Sequence, residues 1–341
     1  MVNRLADLFP IIFLAGLASV AFAPVLIRLA PMAGLLDEPG SAPHKSHPVP
    51  TPLVGGPSIA LAIATAYLIL RPSWTFEIMI ISLGGVMVLV WGLLDDLIGL
   101  RPQYKLLGQL VVAAVLLAGG IQVRFAGAAW INGLITLVWY VGLMNAFNFV
   151  DSMDGLALGL AAIGSAFFMM VTIDSGQPAL ALFSAALVGA CIGAYLYNAA
   201  PARLFLGDSG AQLVGCLLAA IGVAYVPGGA GLPQGVSWFT PILVLGLPIF
   251  DTTLVVVSRL RRGAPIYQPS RDHTFHRLLM RGLDPTRSVL AMQLTAIMLG
   301  LVAFIALDAS VLLANLLFGL ILIVGGVLLI VLVRQPPPGA V

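Results

Sequence analysis

The chain has 341 residues, of which 60% are hydrophobic and 9% are charged, and its formal net charge is +2. Because soluble domains carry about 25% charged residues, this composition excludes an ordinary soluble protein and predicts an integral membrane protein. Cys191 and Cys216 lie in apolar runs without a metal or disulfide spacing motif, so we interpret both as small core residues.

Apolar runs of about 20 residues, the length that crosses a bilayer, recur along the whole chain. The first contains Ala21-Phe22-Ala23, which is similar to a signal-peptide cleavage site, but the run continues to Ala30 and indicates an uncleaved span. We therefore predict an all-α fold, one integral domain over 1–341 and a short disordered tail at 335–341. The eleven predicted transmembrane helices are roughly 8–30, 53–70, 75–94, 106–121, 131–149, 155–173, 179–197, 211–227, 237–257, 288–307 and 310–333.

The distribution of charge predicts the orientation in the membrane. With the N-terminus outside and the C-terminus in the cytosol, 13 of the 16 basic residues fall on the inner side, as the positive-inside rule requires. The positive-inside rule does not predict where acidic residues lie, yet ten of the 14 acids also fall on the inner side. An inner face rich in both signs of charge predicts a site for metal and phosphate. The inner acids are Asp37, Glu38, Asp95, Asp96, Asp151, Asp154, Asp208, Asp251, Asp272 and Asp284.

The first inner loop reads DEPGSAPHKSHPVPTPLVGG and contains five prolines, which exclude a regular helix. Its only lysine is Lys45. This residue belongs either to a solvated basic loop or to a site in which it reaches a phosphate or carbonyl group.

The third span ends in the adjacent acids Asp95 and Asp96. Adjacent carboxylates repel each other unless a cation or a proton relieves them. Neighbouring residues on a helix also point about 100° apart, so the two cannot do one job equally. The alternative to a site is an ordinary helix end with Lys105 as the counter-charge.

The stretch NAFNFVDSMDGL ends an apolar run with Asn145, Asn148, Asp151 and Asp154 at three-residue spacing. This spacing keeps side chains on roughly one face of a helix. The four residues either cap a solvated helix end or line a site at the edge of the membrane.

The stretch NAAPARLFLGDSG makes a tight turn, Gly207–Gly210, into the eighth span. A helix N-terminus favours anions, so Asp208 is either a cap or part of a site. Phe205, three residues earlier, either stacks on a base or packs against the protein.

The last inner segment, RLRRGAPIYQPSRDHTFHRLLMRGLDPTR, contains seven arginines that attract either anionic lipid head groups or a bound diphosphate. His273 and His276 share a helix face with Arg271 and Arg277 beside them. Zinc would need further ligands that the segment lacks. Upstream, Pro248 predicts a helix kink, and an acid inside a span such as Asp251 predicts function.

Five motifs taken in order resemble those of the polyprenyl-phosphate N-acetylhexosamine-1-phosphate transferase family, glycosyltransferase family 4. They are HKSHPVPTPLVGG, GLLDD, NAFNFVDSMDGL, NAAPARLFLGDSG and PIFDTT with DHTFHRLL, and the resemblance covers about 37–290. It implies transfer of a sugar phosphate, GlcNAc-1-phosphate in the first place, from a UDP-N-acetylhexosamine to undecaprenyl or another polyprenyl phosphate, with release of UMP. It also implies a multi-pass protein of the plasma membrane that acts at the cytosolic face in cell-wall or surface polysaccharide synthesis.

The resemblance implies a role for individual residues. The catalytic residues would be Asp95, Asp96 and Asp151. The ligands of Mg²⁺, for which Mn²⁺ could substitute, would be Asp208, Asp151 and Asn148. The substrate-binding residues would be Lys45, Asp154, Asn198, Phe205, Arg271, His273 and His276, among which Asn198 and Phe205 match the positions that hold uracil.

One departure from the family pattern concerns the histidine motif. Many members carry HxHH, whereas this chain has Phe275 before His276. This leaves the role of the histidines open and argues against the phospho-MurNAc-pentapeptide translocase branch, which is the alternative within the family. The partners implied are the lipid phosphate and the UDP-sugar and no nucleic acid, and a homodimer is left open.

Two chemistries and one other class of protein remain as alternatives. An aspartate could attack first, or the lipid phosphate could attack directly; we favour direct attack because a phosphate monoester is mostly dianionic at pH 7. A cation-coupled transporter would place its acids at mid-membrane in paired repeats. The sequence has no visible repeat, and its acids cluster toward one face.

Overall fold

The computed structural model describes residues 2–39, 49–227, 238–265 and 272–335. Lys45, Arg271 and residues 336–341 of the predicted tail lie outside this part of the chain. Within it the chain forms thirteen helices: α1 Val2–Ala33, α2 Gly55–Leu70, α3 Phe76–Ile98, α4 Pro102–Ala118, α5 Ala129–Val150, α6 Leu156–Asp174, α7 Pro178–Asn198, α8 Gly207–Ala224, α9 Thr240–Val244, α10 Gly246–Arg261, α11 Thr274–Met280, α12 Pro285–Ile305 and α13 Val311–Val333.

Eight of the helices in the described ranges are long and apolar enough to cross a membrane. They are α1, α3, α5, α6, α7, α8, α12 and α13. Helices α2 and α4 are apolar but shorter, with 16 and 17 residues. The protein is therefore a mostly helical, multi-pass membrane protein, as predicted, while the count of eleven spans and their orientation stay predictions.

The ninth predicted span, 237–257, is a broken helix. Helix α9 ends at Val244, and α10 begins at Gly246 with Pro248 in its first turn. Proline is tolerated there because the first amides of a helix have no partner within the helix. The predicted kink thus takes the form of an interruption just before Pro248.

Helix α8 is the centre of the bundle. In the most apolar 18-residue stretch of α8, 83% of the residues are buried, against 11% in the corresponding stretch of α13 at the periphery. Helix α8 packs against α3 and α5, α4 packs against α3 and α5, and α7 packs between α1 and α6. This arrangement brings the C-terminal ends of α3 and α5 together with the N-terminal ends of α4 and α8.

A short antiparallel sheet closes the same end of the bundle. Strand β1, Leu36–Asp37, pairs with β2, Thr51–Pro52. Just beyond β2, Leu53 forms a β-bridge with Phe205. The first loop is thereby attached to residues 199–206, the segment that leads into α8.

Candidate functional site

The site is built around the N-terminus of α8, which the carboxylate of Asp96 holds. Asp96 Oδ1 accepts a hydrogen bond from the backbone N–H of Asp208 at 2.8 Å, and Oδ2 accepts from Ser209 N–H at 3.1 Å. These amides have no partner within the helix, so a carboxylate stabilises them. Gly207 is in the left-handed region with φ 72°, and a Cβ there would lie 2.7 Å from Asp96 Oδ2.

Asp95, one residue earlier on α3, makes different contacts. Its Oδ1 accepts from the N–H of Leu100 at 2.8 Å, and its Oδ2 lies 2.6 Å from Nζ of Lys105. The two adjacent acids are therefore divided between a helix terminus and a lysine. This division agrees with the expectation that the two side chains point in different directions, while their separate roles stay predictions.

Lys105 bridges two carboxylates that are far apart in sequence. Its Nζ is also 2.8 Å from Oδ2 of Asp208, whose Oδ1 accepts a short hydrogen bond from Nδ2 of Asn148. Asp208 thus receives a cation from α4 and an amide from α5 while it sits in the first turn of α8. We call Asp95, Asp96, Lys105, Asn148 and Asp208 the carboxylate cluster.

Asp151 and Asp154 lie beyond the end of α5, which corrects the interpretation of NAFNFVDSMDGL as one continuous helical face. The helix ends at Val150, and residues 151–155 form turns in which Gly155 has φ 75°. Aspartate and glycine favour turns over helix, which explains the early end. Asp154 Oδ2 accepts from the N–H of Ala202 at 3.0 Å, so it holds the segment that precedes α8.

Asp151 faces the other acids of the site. Although part of its side chain is exposed, burial raises the pKa of the Asp151 carboxyl well above its usual range. The negative charges of Asp208, Asp96 and Asp154 raise this pKa further. The site therefore carries an excess of carboxylates that favours either a proton on Asp151 or an additional cation.

The two residues expected to hold uracil occupy the loop before α8. Asn198 is buried, and both ends of its carboxamide bind backbone: Oδ1 accepts from Gly155 N–H and Nδ2 donates to the carbonyl of Leu204, each at 3.0 Å. Phe205 is half-buried, and its N–H donates to Pro52 O at 2.8 Å. Asn198 positions the loop, and the uracil contact stays a prediction for both residues.

His273 lies at the end of α5 because Asp251 holds it there. Its Nδ1 is 2.8 Å from Asp251 Oδ2, whose partner oxygen accepts from Thr274 N–H at 2.7 Å. The ring of Phe149 meets the His273 ring edge-on, with 6.1 Å between centroids. The His276 ring lies next to the His273 ring, with 6.2 Å between centroids. His273 therefore approaches the residue that follows Asn148 in the chain.

The departure at Phe275 has a structural reason. Phe275 is 1% exposed and belongs to the hydrophobic core, and its ring meets the His276 ring edge-on with 5.5 Å between centroids. A histidine there would be a polar group in an apolar environment, which is costly without a partner. Phe275 therefore has a packing role at this position, and the roles of His273 and His276 stay predictions.

Arg277, which the sequence placed beside the histidines as a diphosphate contact, has a structural role instead. It is 1% exposed and donates to the carbonyls of Asp272, Leu332 and Gln335. Its neighbour Asp272 is fully buried and pairs with Arg259 and Arg262. These contacts fasten α11 to α10 and to the end of α13.

A second polar layer lies one helical turn deeper and was not identified from the sequence. Gln109 follows Lys105 by four residues, Gln212 follows Asp208 by four, and Asn145 precedes Asn148 by three. Gln109 Nε2 donates to Gln212 Oε1 at 3.0 Å, and Asn145 Nδ2 donates to Gln109 Oε1 at 2.7 Å. We call these three residues the amide layer. Uncharged amides inside apolar runs, spaced one turn from charged residues, were the signal that could have revealed it.

Within the described residues no group of three or more histidine, cysteine or acidic side chains is arranged to hold a metal by itself. The donors near Asp208 are nevertheless hard oxygens, which suit Mg²⁺. Magnesium commonly takes one or two protein carboxylates and completes its coordination with substrate phosphates and water. Asp208 and Asp151, with Asn148, therefore fit a cation that is shared with a phosphate-bearing substrate.

Comparison with known proteins gives the family. Residues 78–226 match glycosyl transferase family 4. A decaprenyl-phosphate N-acetylglucosaminephosphotransferase of Mycobacterium tuberculosis is 32% identical over 293 residues, which cover 76% of this chain and 72% of the relative. The chain belongs to glycosyl transferase family 4. This confirms the predicted family and the predicted class of enzyme, a transferase.

Other relatives carry related names. A probable undecaprenyl-phosphate N-acetylglucosaminyl 1-phosphate transferase of Bacillus subtilis is 29% identical over 312 residues, which cover 88% of this chain and 85% of the relative. A phospho-N-acetylmuramoyl-pentapeptide-transferase of Geobacillus kaustophilus is 34% identical over 233 residues, 60% of this chain and 70% of the relative. The matched family region includes the whole carboxylate cluster and ends before the histidines.

The amide layer generates a stability prediction. Gln109→Leu keeps the size of the side chain but leaves the buried amide of Gln212 and the half-buried amide of Asn145 without this partner, so the free energy of unfolding should fall by about 1–3 kcal/mol. Thermal or denaturant unfolding of the purified protein in detergent measures this. The matched control is Gln103→Leu, an exposed glutamine on the same helix, which should change stability by about 0.5 kcal/mol or less. Equal effects of the two substitutions would contradict a stabilising amide layer.

Proposed function

We propose that this chain transfers GlcNAc-1-phosphate from UDP-GlcNAc to a polyprenyl phosphate, with undecaprenyl phosphate as the first candidate, and releases UMP. The observation that carries the proposal is the carboxylate cluster at the ends of four apolar helices. A lipid phosphate at the membrane edge and a soluble nucleotide sugar can both reach such a position. The names of the Mycobacterium and Bacillus relatives support GlcNAc and a polyprenyl phosphate as substrates.

The reaction would proceed by direct attack of the acceptor. An oxygen of the dianionic lipid phosphate forms a bond to the phosphorus that carries GlcNAc. The bond between that phosphorus and the bridging oxygen of the diphosphate breaks, and UMP leaves with its electron pair. The lipid then carries a diphosphate joined to GlcNAc. Catalysis of such transfers comes mainly from positioning and from stabilisation of charge on the phosphoryl oxygens.

The contacts of the cluster support different roles for its members. Lys105, between Asp95 and Asp208, supplies positive charge next to the reacting phosphates. Asp96 accepts two hydrogen bonds from the α8 backbone, which supports a role in positioning Asp208. Asp95 accepts from Leu100 N–H and contacts Lys105, so both aspartates stay candidates to orient the acceptor phosphate.

Asp208 and Asp151, with Asn148, would hold Mg²⁺ or, as a substitute, Mn²⁺. When bound, the cation would neutralise charge on the substrate diphosphate. His273, held by Asp251, and Asp154 would approach the nucleotide sugar from the ends of α11 and α5. Lys45 and Arg271 lie outside the described residues, so their proposed contacts with the substrate rest on the sequence alone.

We also propose that the site faces the cytosol at the plasma membrane, in a protein of eleven spans with the N-terminus outside. The positive-inside distribution of 13 basic residues against 3 supports this orientation. UDP-sugars are cytosolic substrates in this proposal, so the orientation and the donor agree. The homodimer stays a prediction.

The second candidate function is transfer of phospho-MurNAc-pentapeptide, which the Geobacillus relative favours by its name. That relative matches a smaller share of this chain than the Bacillus relative does, 60% against 88%. A panel of UDP-sugars assayed with purified protein separates the two functions.

The proposed reaction generates a prediction for Asp208. Asp208→Asn removes a carboxylate from Lys105 and from the proposed cation, so release of UMP from UDP-GlcNAc in the presence of undecaprenyl phosphate should fall by about a hundredfold or more. The assay measures UMP, with and without the lipid. Asp308→Asn is the matched control, because Asp308 is exposed and follows α12 far from the cluster in sequence. Activity of Asp208→Asn within about threefold of the unmodified protein would rule out the proposed role of this carboxylate.

Direct attack predicts the order of events. Without lipid acceptor, the enzyme should release no stoichiometric burst of UMP from UDP-GlcNAc, because the nucleophile is absent. Rapid-quench measurement of UMP per enzyme tests this. A burst near one equivalent that Asp95→Asn abolishes would instead identify Asp95 as a covalent nucleophile.

The orientation predicts a labelling pattern. Cysteine introduced at Ser152, exposed in the turn after α5, should resist a membrane-impermeant thiol reagent in intact cells and react after permeabilisation. Cysteine at Ser73, exposed at the opposite end of α3, should react in intact cells. Cys191 and Cys216 are buried and give a low background. The reverse pattern would place the cluster outside the cell.

A further inference from the structure

A groove separate from the carboxylate cluster lies beside the C-terminal part of α1. Its volume is about 580 Å³, and it runs between α1, the β2 strand and residues 197–203. Pro24, Ile27 and Pro31 form one apolar wall, and Pro52 contributes to another. No member of the carboxylate cluster lines it.

Two arginines line this otherwise apolar groove. Arg28 is exposed and makes no hydrogen bond or ion pair with any residue that the structure describes. Arg203 lies over the ring of Tyr197, 4.8 Å from its centroid, and donates to the carbonyl of Leu196 at 3.2 Å. The hydroxyl of Tyr197 in turn donates to Val20 O at 3.1 Å, which anchors the ring to α1. The Arg203 guanidinium is thus oriented, the Arg28 guanidinium has no partner among the described residues, and both keep donors for an anion.

An apolar surface on α1 leads to the groove. Phe13 and Leu17 are more than half exposed. Each precedes a groove-lining residue, Pro24 or Arg28, by eleven residues, which is about three turns of helix, so all four lie along one side of α1. In a membrane protein such a surface contacts lipid acyl chains. A ligand of this groove would therefore combine an anionic group at the arginines with an apolar tail along α1.

We propose that the groove binds an anionic phospholipid, with its phosphodiester between Arg28 and Arg203 and its acyl chains against α1. Arginine presents a fork of donors that matches phosphate oxygens. Basic pockets between membrane helices commonly bind anionic head groups. A nucleotide fits less well, because Arg203 covers the Tyr197 ring on which a base would stack. The acceptor lipid of the proposed reaction fits less well, because its phosphate has to reach Asp208.

Bound lipid would brace the segment that leads into the site. Ala202 and Pro52 both line the groove. The N–H of Ala202 donates to Asp154, and the carbonyl of Pro52 accepts from Phe205. The ligand would therefore restrict residues 199–206, which precede Asp208. This role is independent of which sugar the enzyme transfers.

Lipid binding can be measured without catalysis. The full-length protein is reconstituted in nanodiscs of phosphatidylcholine with a minor share of phosphatidylglycerol. It is then released from the nanodiscs and analysed by native mass spectrometry. The unmodified protein should retain phosphatidylglycerol in preference to phosphatidylcholine. Each of Arg28→Gln and Arg203→Gln should weaken this preference by about fivefold, from about 1 kcal/mol per basic residue near an anionic lipid. The double variant should lose it.

The matched control removes the same charge elsewhere. Arg281 and Arg287 are exposed, and the double variant Arg281→Gln/Arg287→Gln should keep the preference. Arg28→Gln by itself removes no hydrogen bond or ion pair among the described residues, so its result does not depend on folding of the double variant. Unchanged phosphatidylglycerol retention by Arg28→Gln and by the double groove variant would overturn the proposal. The proposal would also be overturned if the groove variants lost binding of undecaprenyl phosphate but kept binding of phosphatidylglycerol.

Hydrogen exchange gives a second measurement on the same samples. Phosphatidylglycerol should slow amide exchange in residues 199–206 of the unmodified protein and of the control variant, but not of the double groove variant. Equal protection in all three proteins would contradict a lipid that acts from this groove.

Discussion

The site depends on one interaction, the contact between the Asp96 carboxylate and the first amides of α8. A helix that begins near the membrane edge leaves N–H groups that need an acceptor, and Asp96 supplies both oxygens to them. The contact is possible because Gly207 has no side chain and adopts a positive φ. Once α8 is held in this way, Asp208 has a fixed direction toward Lys105 of α4 and Asn148 of α5. The other members of the cluster are therefore arranged around a helix terminus.

The second constraint is the balance of charge. Asp95, Asp151 and Asp208 act on one another or on common neighbours, and Lys105 is the cation that contacts two of them in the described part of the chain. Burial and, after it, the like charges of neighbouring acids raise the pKa of Asp151, which disfavours full ionisation of these carboxyls. An added cation and the phosphates that accompany it would relieve this repulsion. The charge excess thus favours a phosphoryl-transfer site over a purely structural ion-pair cluster, in agreement with membership of the transferase family.

The surroundings of the cluster restrict it on two sides. Below it, the amide layer joins α4, α5 and α8 through side chains that are satisfied by one another, and such networks specify the register of packed helices. Above it, Asn198 and Asp154 attach the loop before α8 to the turn after α5. The groove at Arg28 and Arg203 contacts the outer side of the same loop. Helix packing, loop attachment and the proposed lipid therefore converge on the position of Asp208.

The sequence by itself determined the membrane class, the approximate positions of the helices and the family. These follow from the length of apolar runs and from short motifs, both of which are local in the chain. Only the tertiary structure decided which partner each polar side chain takes. Lys105 and Asp208 are 103 residues apart, and Asp96 and Ser209 are 113 apart, so helix packing alone brings them together. For the same reason the sequence could not show that Arg277 and Phe275 point into the interior, or that Asp95 and Asp96 separate. Burial and partner choice depend on the neighbouring helices, which local pattern does not contain.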